Sequence, residues 1–549
     1  MALLNSSWNG KENQQLYAVK RNAPYSYRSS DSLTAEAITV WLISRLAERL
    51  ELQPDEIDIH KDLTEYGLDS IEAVNLSGEL ENFLGYRLSP TLLWDYPTVA
   101  TLAQYLAENP QRYQVSPESV DELPLTQGEP QPLSSPEQEL DEEIPLEYYR
   151  FERSPEYQQL QRQKQDIDAL GIGNPLFTPQ ERVVNNTTFI DGRELINYAT
   201  YNYLGLSGDP TVTQAAIAAI KQYGTSVSAS RLHSGEKPLH RELEREIADF
   251  IGTEDSIVYV GGHATNVTTI SHLFGKHDLI LYDSLSHNSI LRGCHLSGAT
   301  LLSFPHNDWQ TLEAVLRDRR HRYRKVLVVI EGVYSTDGDI AKLPEFIVLK
   351  KRYRTYLMVD EAHSMGVLGD HGRGIGELFQ VDPADVDLWM GTLSKSFASC
   401  GGYIAGSSAL VEYLKYTAPG FVYSVGISPP DAAATLAAIR VLRAEPERVT
   451  RLQQRSQLFL ELATQQGLDT GLSHGSPVIP IIVGDALKSI QLSRCLFERG
   501  INVPFMCYPI VSKNTARLRF FITCEHTEEQ IHYTVNTLAA AVARLNVKD

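Results

Sequence analysis

The stretch from residue 111 to residue 147 divides the 549-residue chain into two parts that are not expected to share one core. It contains six prolines, and ten acidic residues stand against one basic residue, Arg112. Proline interrupts helices and central strands, and like charges along a chain repel one another, so the sequence predicts an extended linker over residues 111–150. A small domain should precede this linker and a larger unit should follow it. Residues 1–30, which are polar and aperiodic, are expected to form a disordered lead-in.

Residues 31–110 carry three apolar stripes at helical spacing. The first two stripes comprise Ile38, Trp41, Leu42, Leu46 and Leu50, and then Ala73, Leu76, Leu80, Phe83 and Leu84. The third is the short run "DYPTVATLAQYLAE". Three or four amphipathic helices in a segment this short predict a small helical bundle.

Residues 151–549 alternate between short apolar runs and amphipathic stretches. The runs "DSIVYVGG", "DLILYD", "KVLVVIEGVYS", "YLMVDEAHS" and "VDLWMGTLSK" predict strands, and "WQTLEAVLRDRR" and "LPEFIVLKKRYR" predict helices between them. This order predicts an α/β domain over about residues 200–430, with a mostly parallel sheet covered by helices on both faces. Residues 431–549, which include the strand candidates "SPVIPIIV" and "ARLRFFIT", predict a smaller α+β domain.

The charge balance and the cysteine count argue against several classes of protein. The formal net charge is −20, from 69 acidic and 49 basic residues, so a nucleic-acid binder is not expected. The N-terminal sequence lacks a signal-peptide core and no run of about 18 apolar residues occurs, so we expect no membrane span and a cytoplasmic location. The five cysteines lack CxxC spacing, which fits a reducing compartment and predicts neither disulfides nor a metal site.

Ser70 follows Gly67, Leu68 and Asp69 at the start of an amphipathic stretch. A serine in this position is often only the N-cap of a helix. Its surroundings, "DLTEYGLDSIEAVNLSGELE" and then "LSPTLLWDYPTVATLAQYL", closely resemble an acyl carrier domain of the polyketide-synthase type over the whole length of that domain. The resemblance implies that Ser70 carries 4′-phosphopantetheine. It also implies two partners, a phosphopantetheinyl transferase that attaches the arm and an enzyme that loads the acyl group.

Polar residues that close an apolar run are candidates for a site, because ligands of such sheets bind beyond the carboxyl ends of the strands. Here these residues are Ser335, Asp360, His363 and Lys395. Lys395 has an ordinary alternative as a surface lysine. Three other features favour pyridoxal phosphate: Asp360 could pair with a pyridinium nitrogen, the turn Gly261-Gly262 could offer N–H groups to a phosphate, and His287 could stack on the ring.

Two nucleotide-binding motifs are alternatives, and the sequence matches neither. "VDEAH" resembles the magnesium-binding strand of a P-loop NTPase, but the candidate loop "FGKHD" has His277 where Ser or Thr belongs and lacks the earlier glycine. The run "GDHGRGIG" has the wrong spacing for a dinucleotide fingerprint.

Residues from about 195 to 530 resemble an α-oxoamine synthase. The motifs that carry the resemblance are "YNYLGL", "ASRLHSGEKPLHRELE", "DSLSHNSI", "EGVYSTDGDIAKL", "VDEAHSMGVLG", "GTLSKSFASCGG" and "TARLRFFITCEHT". Within this family, "YNYLG" and "DEAHSMG" are most similar to the serine palmitoyltransferase form. The resemblance implies the fold-type I, aspartate aminotransferase-like fold, bound pyridoxal phosphate and a homodimer. In the family dimer a segment matching "FVYSVGISPP" reaches the neighbouring subunit's phosphate, and the choice between Ser424 and its neighbours stays open.

The resemblance also implies a role for each matching residue. Lys395 would bind the cofactor covalently, Asp360 would pair with its pyridinium nitrogen, and His287 would stack on the ring and orient the substrate. The remaining cofactor contacts would come from Gly262 and His263 through their backbone, and from Ser335, His363 and Thr392. Arg519 would bind the amino-acid carboxylate, unless it forms a structural ion pair. Asn202 is a weaker substrate candidate, because relatives with "NDYLG" have their Asn at the position of Tyr201.

The two resemblances together imply one reaction. An α-oxoamine synthase condenses an amino acid with an acyl thioester, releases CO₂ and leaves an α-aminoketone. Phosphopantetheine is the thiol end of CoA, so the thioester could be presented from Ser70 of the same chain. Two alternatives stay open: a CoA-dependent synthase whose carrier domain serves another enzyme, and a carrier or docking protein with an inactive fold.

Overall fold

The computed structural model describes residues 34–50, 53–61, 63, 76, 79–80, 83–84, 98–108, 144–169, 176–508 and 510–546. The chain divides into two compact units, Met1–Glu142 and Glu143–Asp549. The predicted lead-in, Ser70 and nearly all of the predicted linker lie outside the described residues. Within the described ranges no helix is long and apolar enough to cross a membrane.

The first unit contains two described helices, α1 (Ala35–Leu50) and α2 (Val99–Glu108). Ile38, Leu42 and Leu46 of the α1 stripe are buried as the sequence predicts, and they share one core with residues of the second and third stripes. The buried members of this core include Ile38, Leu42, Leu46, Leu76, Leu80, Val99 and Leu102. Burial of this shared apolar surface is what holds a small helical unit together.

The second unit contains the remaining elements. It starts with α3 (Pro155–Ala169), β1 (Thr187–Ile190) and β2 (Arg193–Asn197). The strands of its main sheet are β3 (Asp255–Tyr259), β4 (Leu279–Asp283), β5 (Thr300–Phe304), β6 (Val326–Glu331), β7 (Tyr356–Asp360), β8 (Leu388–Thr392) and β9 (Gly402–Gly406). The helices that accompany this sheet are α4 (Pro210–Tyr223), α5 (Pro238–Ile251), α6 (Gly262–Leu273), α7 (Asn288–Ser297), α8 (Trp309–Arg319), α9 (Leu343–Tyr353), α10 (Ile375–Leu378), α11 (Ser408–Thr417) and α12 (Pro419–Val422). The C-terminal elements are α13 (Pro429–Ala444), α14 (Glu447–Gln465), β10 (Val478–Gly484), α15 (Ala486–Glu498), β11 (Ile501–Asn502), β12 (Phe505–Met506), β13 (Ala516–Phe521) and α16 (Glu528–Asn546).

The main sheet has the strand order β3-β9-β8-β7-β6-β4-β5. Only β9 runs against the other strands, because it pairs antiparallel with both β3 and β8. All residues of β4, β6 and β8 are buried, as expected for a parallel sheet covered on both faces. The five predicted strands are confirmed as β3, β4, β6, β7 and β8. Since the parallel strands end at one edge, the polar residues that follow them meet there.

The small domain is built on two short sheets, β1-β2-β11 and β10-β13-β12. The predicted strands "SPVIPIIV" and "ARLRFFIT" are confirmed as the antiparallel pair β10 and β13. The hairpin β1-β2, which precedes the main sheet in sequence, joins the small domain through β11. The buried face of α13, from Ala432 to Leu442, belongs to the same apolar cluster as the main sheet. The boundary predicted near residue 431 thus falls within a helix whose buried face packs with the main sheet.

Candidate active site

Two buried carboxylates lie side by side at the carboxyl edge of the main sheet. Glu331 ends β6, Asp360 ends β7, and the two residues are paired in register. Asp360 Oδ1 accepts a hydrogen bond from the Ala362 N–H at 2.9 Å, and its Oδ2 accepts one from Asn266 Nδ2 at 2.8 Å. Burial, with the adjacent charge of Asp360, raises the pKa of Glu331 well above its usual range. Burial therefore favours the neutral form of Glu331.

Lys395 lies on the loop after β8, close to both carboxyl groups. Burial lowers the pKa of its amine to about 8, although the charges of Asp360 and Glu331 act in the opposite direction. The ammonium group lies 5.6 Å from the centre of the Tyr201 ring. A lysine in this state has a substantial neutral fraction near pH 8, which is what a nucleophile or base requires.

His287 is the N-cap of α7, and its backbone is held by Glu331. The His287 N–H donates to Glu331 Oε1 at 2.5 Å, and the ring Nδ1 accepts from the Ser289 N–H at 3.2 Å. The residue as a whole is exposed. Burial of part of the ring lowers the pKa of His287. The nearby Asp360 acts to raise this pKa, whereas Lys395, His263 and Arg519 act to lower it further.

His363 follows β7 and is buried. Its Nδ1 lies 2.7 Å from the Tyr203 hydroxyl, and its ring is nearly parallel to Phe521, with an interplanar angle of 10°. Burial, with the positive charges of Lys395 and Arg519, holds the pKa of His363 well below its usual range. His363 is therefore a neutral imidazole on the wall of the site.

The first turn of α6 is open for an anion. Gly261 caps this helix without a side-chain hydrogen bond, and His263 is exposed. A Cβ atom at Gly262 would lie 2.9 Å from Thr392 Oγ1, so only glycine allows this close approach of α6 to the end of β8. Free N–H groups at the start of a helix, with a hydroxyl beside them, form a suitable phosphate site.

Arg519, on β13 of the small domain, reaches the same edge. Its Nη1 donates to the Ser335 carbonyl oxygen at 2.8 Å, and its Nη2 lies 3.5 Å from the Tyr201 hydroxyl. Its neighbour Arg517 is paired with Asp337 at 2.6 Å. By contrast, Arg519 has no carboxylate within ion-pair distance among the described residues, and its buried Nε has no hydrogen-bond partner there. This arrangement weighs against the structural ion pair and leaves a guanidinium available for a carboxylate.

Asn202 lies outside this cluster. Its Nδ2 donates to the Val184 carbonyl oxygen at 3.2 Å, and its Oδ1 accepts from the Ser207 N–H at 3.1 Å. The amide thus holds its own loop together. Tyr201, one position earlier, is the residue that lies near Lys395 and Arg519, so these contacts favour Tyr201, and a substrate contact at Asn202 stays a prediction.

Several residues of the cluster were missed by the sequence analysis. Glu331 could have been found, since it closes the run "KVLVVIE" as Asp360 closes "TYLMVD". Asn266 and Ser289 gave no such signal, because each lies within a helix and contacts the site only through the tertiary fold. The other predicted residues, Lys395, Asp360, His287, His363, His263, Gly262, Thr392, Ser335 and Arg519, all lie at the carboxyl edge of the sheet or on β13 beside it.

Comparisons with known proteins agree with this geometry. Residues 193–538 match the family model of class I and II aminotransferases, and residues 40–106 match that of the phosphopantetheine attachment site. The chain is 37% identical over 360 residues to the 8-amino-7-oxononanoate synthase of Thermoanaerobacter pseudethanolicus, covering 66% of this chain and 91% of that protein. It is also 37% identical to long chain base biosynthesis protein 2a of Oryza sativa subsp. japonica, covering 64% and 75% of the two chains.

A solved structure shows the same similarity in three dimensions. The serine palmitoyltransferase of Sphingomonas wittichii superposes with a TM-score of 0.69 at 31% identity, covering 72% of this chain and 98% of that one. The chain belongs to the class I and II aminotransferase family, and within it to the α-oxoamine synthases, with a phosphopantetheine attachment domain at its N-terminal end. The predicted fold class is confirmed.

Family membership defines the chemistry of this chain. It is a pyridoxal-phosphate-dependent acyltransferase, and its attachment domain adds 4′-phosphopantetheine as a second prosthetic group. The site suits pyridoxal phosphate on three counts: the open first turn of α6 for the phosphate, the carboxylate of Asp360 for a pyridinium nitrogen, and the amine of Lys395 for the aldehyde.

Proposed function

We propose that this chain condenses an amino acid with an acyl group held as a thioester on its own phosphopantetheine arm, attached at Ser70. The observation that carries the proposal is the presence, in one chain, of an α-oxoamine synthase site and a phosphopantetheine attachment domain. CoA and the carrier arm end in the same thiol, so a site built for one thioester suits the other.

The reaction balances without any further reactant. A carbon–carbon bond forms between the amino-acid Cα and the acyl carbonyl carbon, and the carbon–sulfur bond breaks to return the free thiol of the arm. The bond from Cα to the carboxylate breaks and releases CO₂, and a proton takes its place. The product is an α-aminoketone. Bound pyridoxal phosphate supplies the electron sink for the charge that forms at Cα.

The residues of the chain perform the binding and the proton transfers. Arg519, which lacks a carboxylate partner among the described residues, binds the carboxylate of the amino acid. Lys395 removes the Cα proton as a neutral amine, which its pKa of about 8 permits. His287 donates a hydrogen bond to the thioester carbonyl, where negative charge develops.

The remaining residues hold the cofactor. The backbone of Gly262 and His263, with the Thr392 hydroxyl, would hold the phosphate at the start of α6. Asp360 would keep a positive charge on the ring nitrogen, and His363 and Ser335 would supply further contacts to the cofactor. We also propose a homodimer, on the resemblance to the family, and light scattering that gives the mass of one chain would contradict it.

The length of the predicted linker permits delivery of the acyl group. About 36 residues in a coil span roughly 30–35 Å, and like charges extend the chain further. A catalytic unit of this size has a radius of gyration of about 21 Å. The tethered arm therefore acts at an effective concentration of about millimolar.

One experiment separates the proposal from its two alternatives. Purified protein is mixed with an amino acid and either acyl-CoA or its own acyl-loaded carrier, and CO₂ and aminoketone are measured. We expect turnover from the loaded carrier. Turnover from acyl-CoA alone would indicate a CoA-dependent enzyme, and no turnover from either thioester, across the amino acids, would indicate an inactive fold.

A further inference from the structure

Two buried polar side chains connect Asp360 to His287 behind the proposed active site. Asn266 lies on α6 and Ser289 on α7, and each is about 1% exposed. These helices pack so closely that a Cβ atom at Gly293 would lie 2.9 Å from the Asn266 carbonyl oxygen. Because both side chains are almost fully buried, their hydrogens are expected to find partners within the protein.

The orientation of the Asn266 amide is fixed by Asp360. Asn266 Nδ2 lies 2.8 Å from Asp360 Oδ2 and 2.9 Å from Ser289 Oγ. A carboxylate only accepts hydrogen bonds, so the NH₂ group must face it. The Asn266 Oδ1 is buried with no partner among the described residues. An unpaired buried acceptor is unfavourable, but the flipped amide would face its oxygen to the carboxylate, which is worse.

The orientation of Asn266 in turn fixes the Ser289 hydroxyl. Its oxygen accepts from Asn266, so its own hydrogen is directed to the remaining neighbour, His287 Nδ1, at 2.7 Å. The Ser289 N–H also points to this nitrogen, at 3.2 Å. A ring nitrogen that accepts twice carries no hydrogen, so the proton of the neutral ring is on Nε2.

We propose that Asn266 and Ser289 are positioning residues that hold His287 as a neutral imidazole with its proton on Nε2, and that couple this state to Asp360. The inference rests on the proposed function, in which His287 donates to the thioester carbonyl. Nε2 has no protein partner among the described residues, so its hydrogen is free for the substrate. The titratable groups near His287 are Glu331, Asp360, Lys395, His263 and Arg519.

The test follows the ring of His287 itself. Full-length holoenzyme is labelled with ¹⁵N-histidine, the His287 signals are assigned by their loss in His287→Gln, and solid-state ¹⁵N spectra are recorded against pH. In the wild type we expect Nε2–H at neutral pH. Ser289→Ala removes a hydrogen bond that stabilises the neutral ring, so the pKa of His287 should rise and the Nδ1–H form should gain population.

The control variants distinguish the loss of the Ser289 hydroxyl from a general change in helix packing. Ser289→Thr restores a hydroxyl and should shift the spectrum back toward the wild type. Ser297→Ala, on the same helix, removes a hydroxyl bonded to the Cys294 carbonyl and should change nothing. If Ser289→Ala does not fold, Asn266→Leu, which is nearly isosteric, provides a second test. It interrupts at its other end the same relay, which is the hydrogen-bonded chain from Asp360 through Asn266 and Ser289 to His287. A His287 ring with unchanged tautomer and pKa in the folded variant would overturn the inference.

A kinetic measurement links the relay to the reaction. In Ser289→Ala, kcat/KM for the acyl thioester and the rate of Cα–H exchange are each compared with the wild type. The fold-decrease in kcat/KM should be about ten times the fold-decrease in exchange, because a tenfold factor corresponds to the loss of one oriented hydrogen bond. An equal fall in both rates would overturn the link to the thioester step. The spectra do not depend on any thioester, so a failure of the proposed function leaves the test of the relay intact.

Discussion

The protonation state of Lys395 is set by its surroundings and not by the sequence around it. Burial lowers the pKa of the amine to about 8, and the nearby carboxylate of Asp360 limits that shift. A solvated lysine has a pKa of about 10.4 and is almost entirely charged at neutral pH. The site thus provides a neutral amine under conditions in which an exposed lysine cannot act.

The first prediction follows from this pKa. When pyridoxal phosphate is added to the apoenzyme, the rate of its covalent attachment should rise with pH and level off above about 8, because only the neutral amine attacks the aldehyde. Stopped-flow absorbance measures this rate, and Lys395→Ala should show no attachment. A rate that still rises above pH 9.5 would contradict the proposed environment.

The second prediction concerns Asp360. Asp360→Asn should retain bound pyridoxal phosphate but lose Cα–H exchange by roughly a hundredfold or more, because a neutral amide cannot hold a charge on the ring nitrogen. Exchange of the amino-acid Cα hydrogen with solvent deuterium measures this step. Asp385→Asn, the same change in an ion pair with Lys351 near the protein surface, is the matched control. Exchange at the wild-type rate in Asp360→Asn would refute this role.

At the scale of elements, the loop from residue 332 to residue 341 joins the large and small domains. On one side, Arg519 and Arg517 of β13 bind the Ser335 carbonyl and Asp337. On the other side, Tyr334 donates to Asp283 at 2.9 Å. The proposed carboxylate-binding arginine is therefore held in place by a loop anchored on the main sheet.

The third prediction concerns the histidine that anchors this loop. His306 lies between Asp283 and Asp339, at 2.9 and 2.8 Å. Burial alone would lower its pKa, but hydrogen bonds to the two carboxylates raise the pKa of His306 to about 10. Because the folded value exceeds the unfolded value of about 6.5, this stabilisation is complete below pH 6.5 and is lost as the pH rises through 10.

Thermal unfolding against pH measures the effect. The Tm difference between wild type and His306→Gln should be large near pH 6.5 and should shrink steadily toward pH 10. His474→Gln, which alters an exposed histidine, should show a small and constant difference. A His306→Gln difference that stays constant over this range would show that the imidazolium is not what stabilises the loop.

The elements also show what a sequence can predict. Strands rich in Val, Ile and Leu, such as β6, were predicted, because a buried parallel strand needs such a run. The strand β9, "GYIAG", was not predicted, because its glycines and alanine give no strand signal and its pairing with β3 and β8 is a tertiary effect. Packing of the loop likewise decides which of the adjacent residues Tyr201 and Asn202 lies near Lys395 and Arg519, and the sequence does not show it.

At the scale of the whole molecule, the chain joins a catalytic site to the attachment domain of a thioester arm. The carboxylate of Asp360 and the amine of Lys395 could be predicted because each closes a recognisable run, and the guanidinium of Arg519 because its motif resembles that of the family. The relay through Asn266 and Ser289 could not be, since Asn266 contacts a carboxylate 94 residues away in sequence.

The fourth prediction tests whether the phosphopantetheine arm on Ser70 supplies the acyl group. Ser70→Ala should retain the visible absorbance of bound pyridoxal phosphate and the binding of the amino acid, but it should form no product from a carrier-bound acyl group. Removal of residues 1–120 should have the same effect, with partial rescue by a separate acyl carrier protein at high concentration. Ser77→Ala, outside the "GLDS" motif, is the control and should behave as the wild type.

The most direct measurement of the central claim is intact-protein mass spectrometry of the carrier domain during turnover. The arm on Ser70 is loaded with an acyl group, and the amino acid is then added to the holoenzyme without CoA. We predict that the mass of the acyl group disappears from the arm as the aminoketone and CO₂ appear in equal amounts. If the acyl group stays on Ser70 while acyl-CoA is consumed freely with the same amino acid, the carrier does not supply this active site.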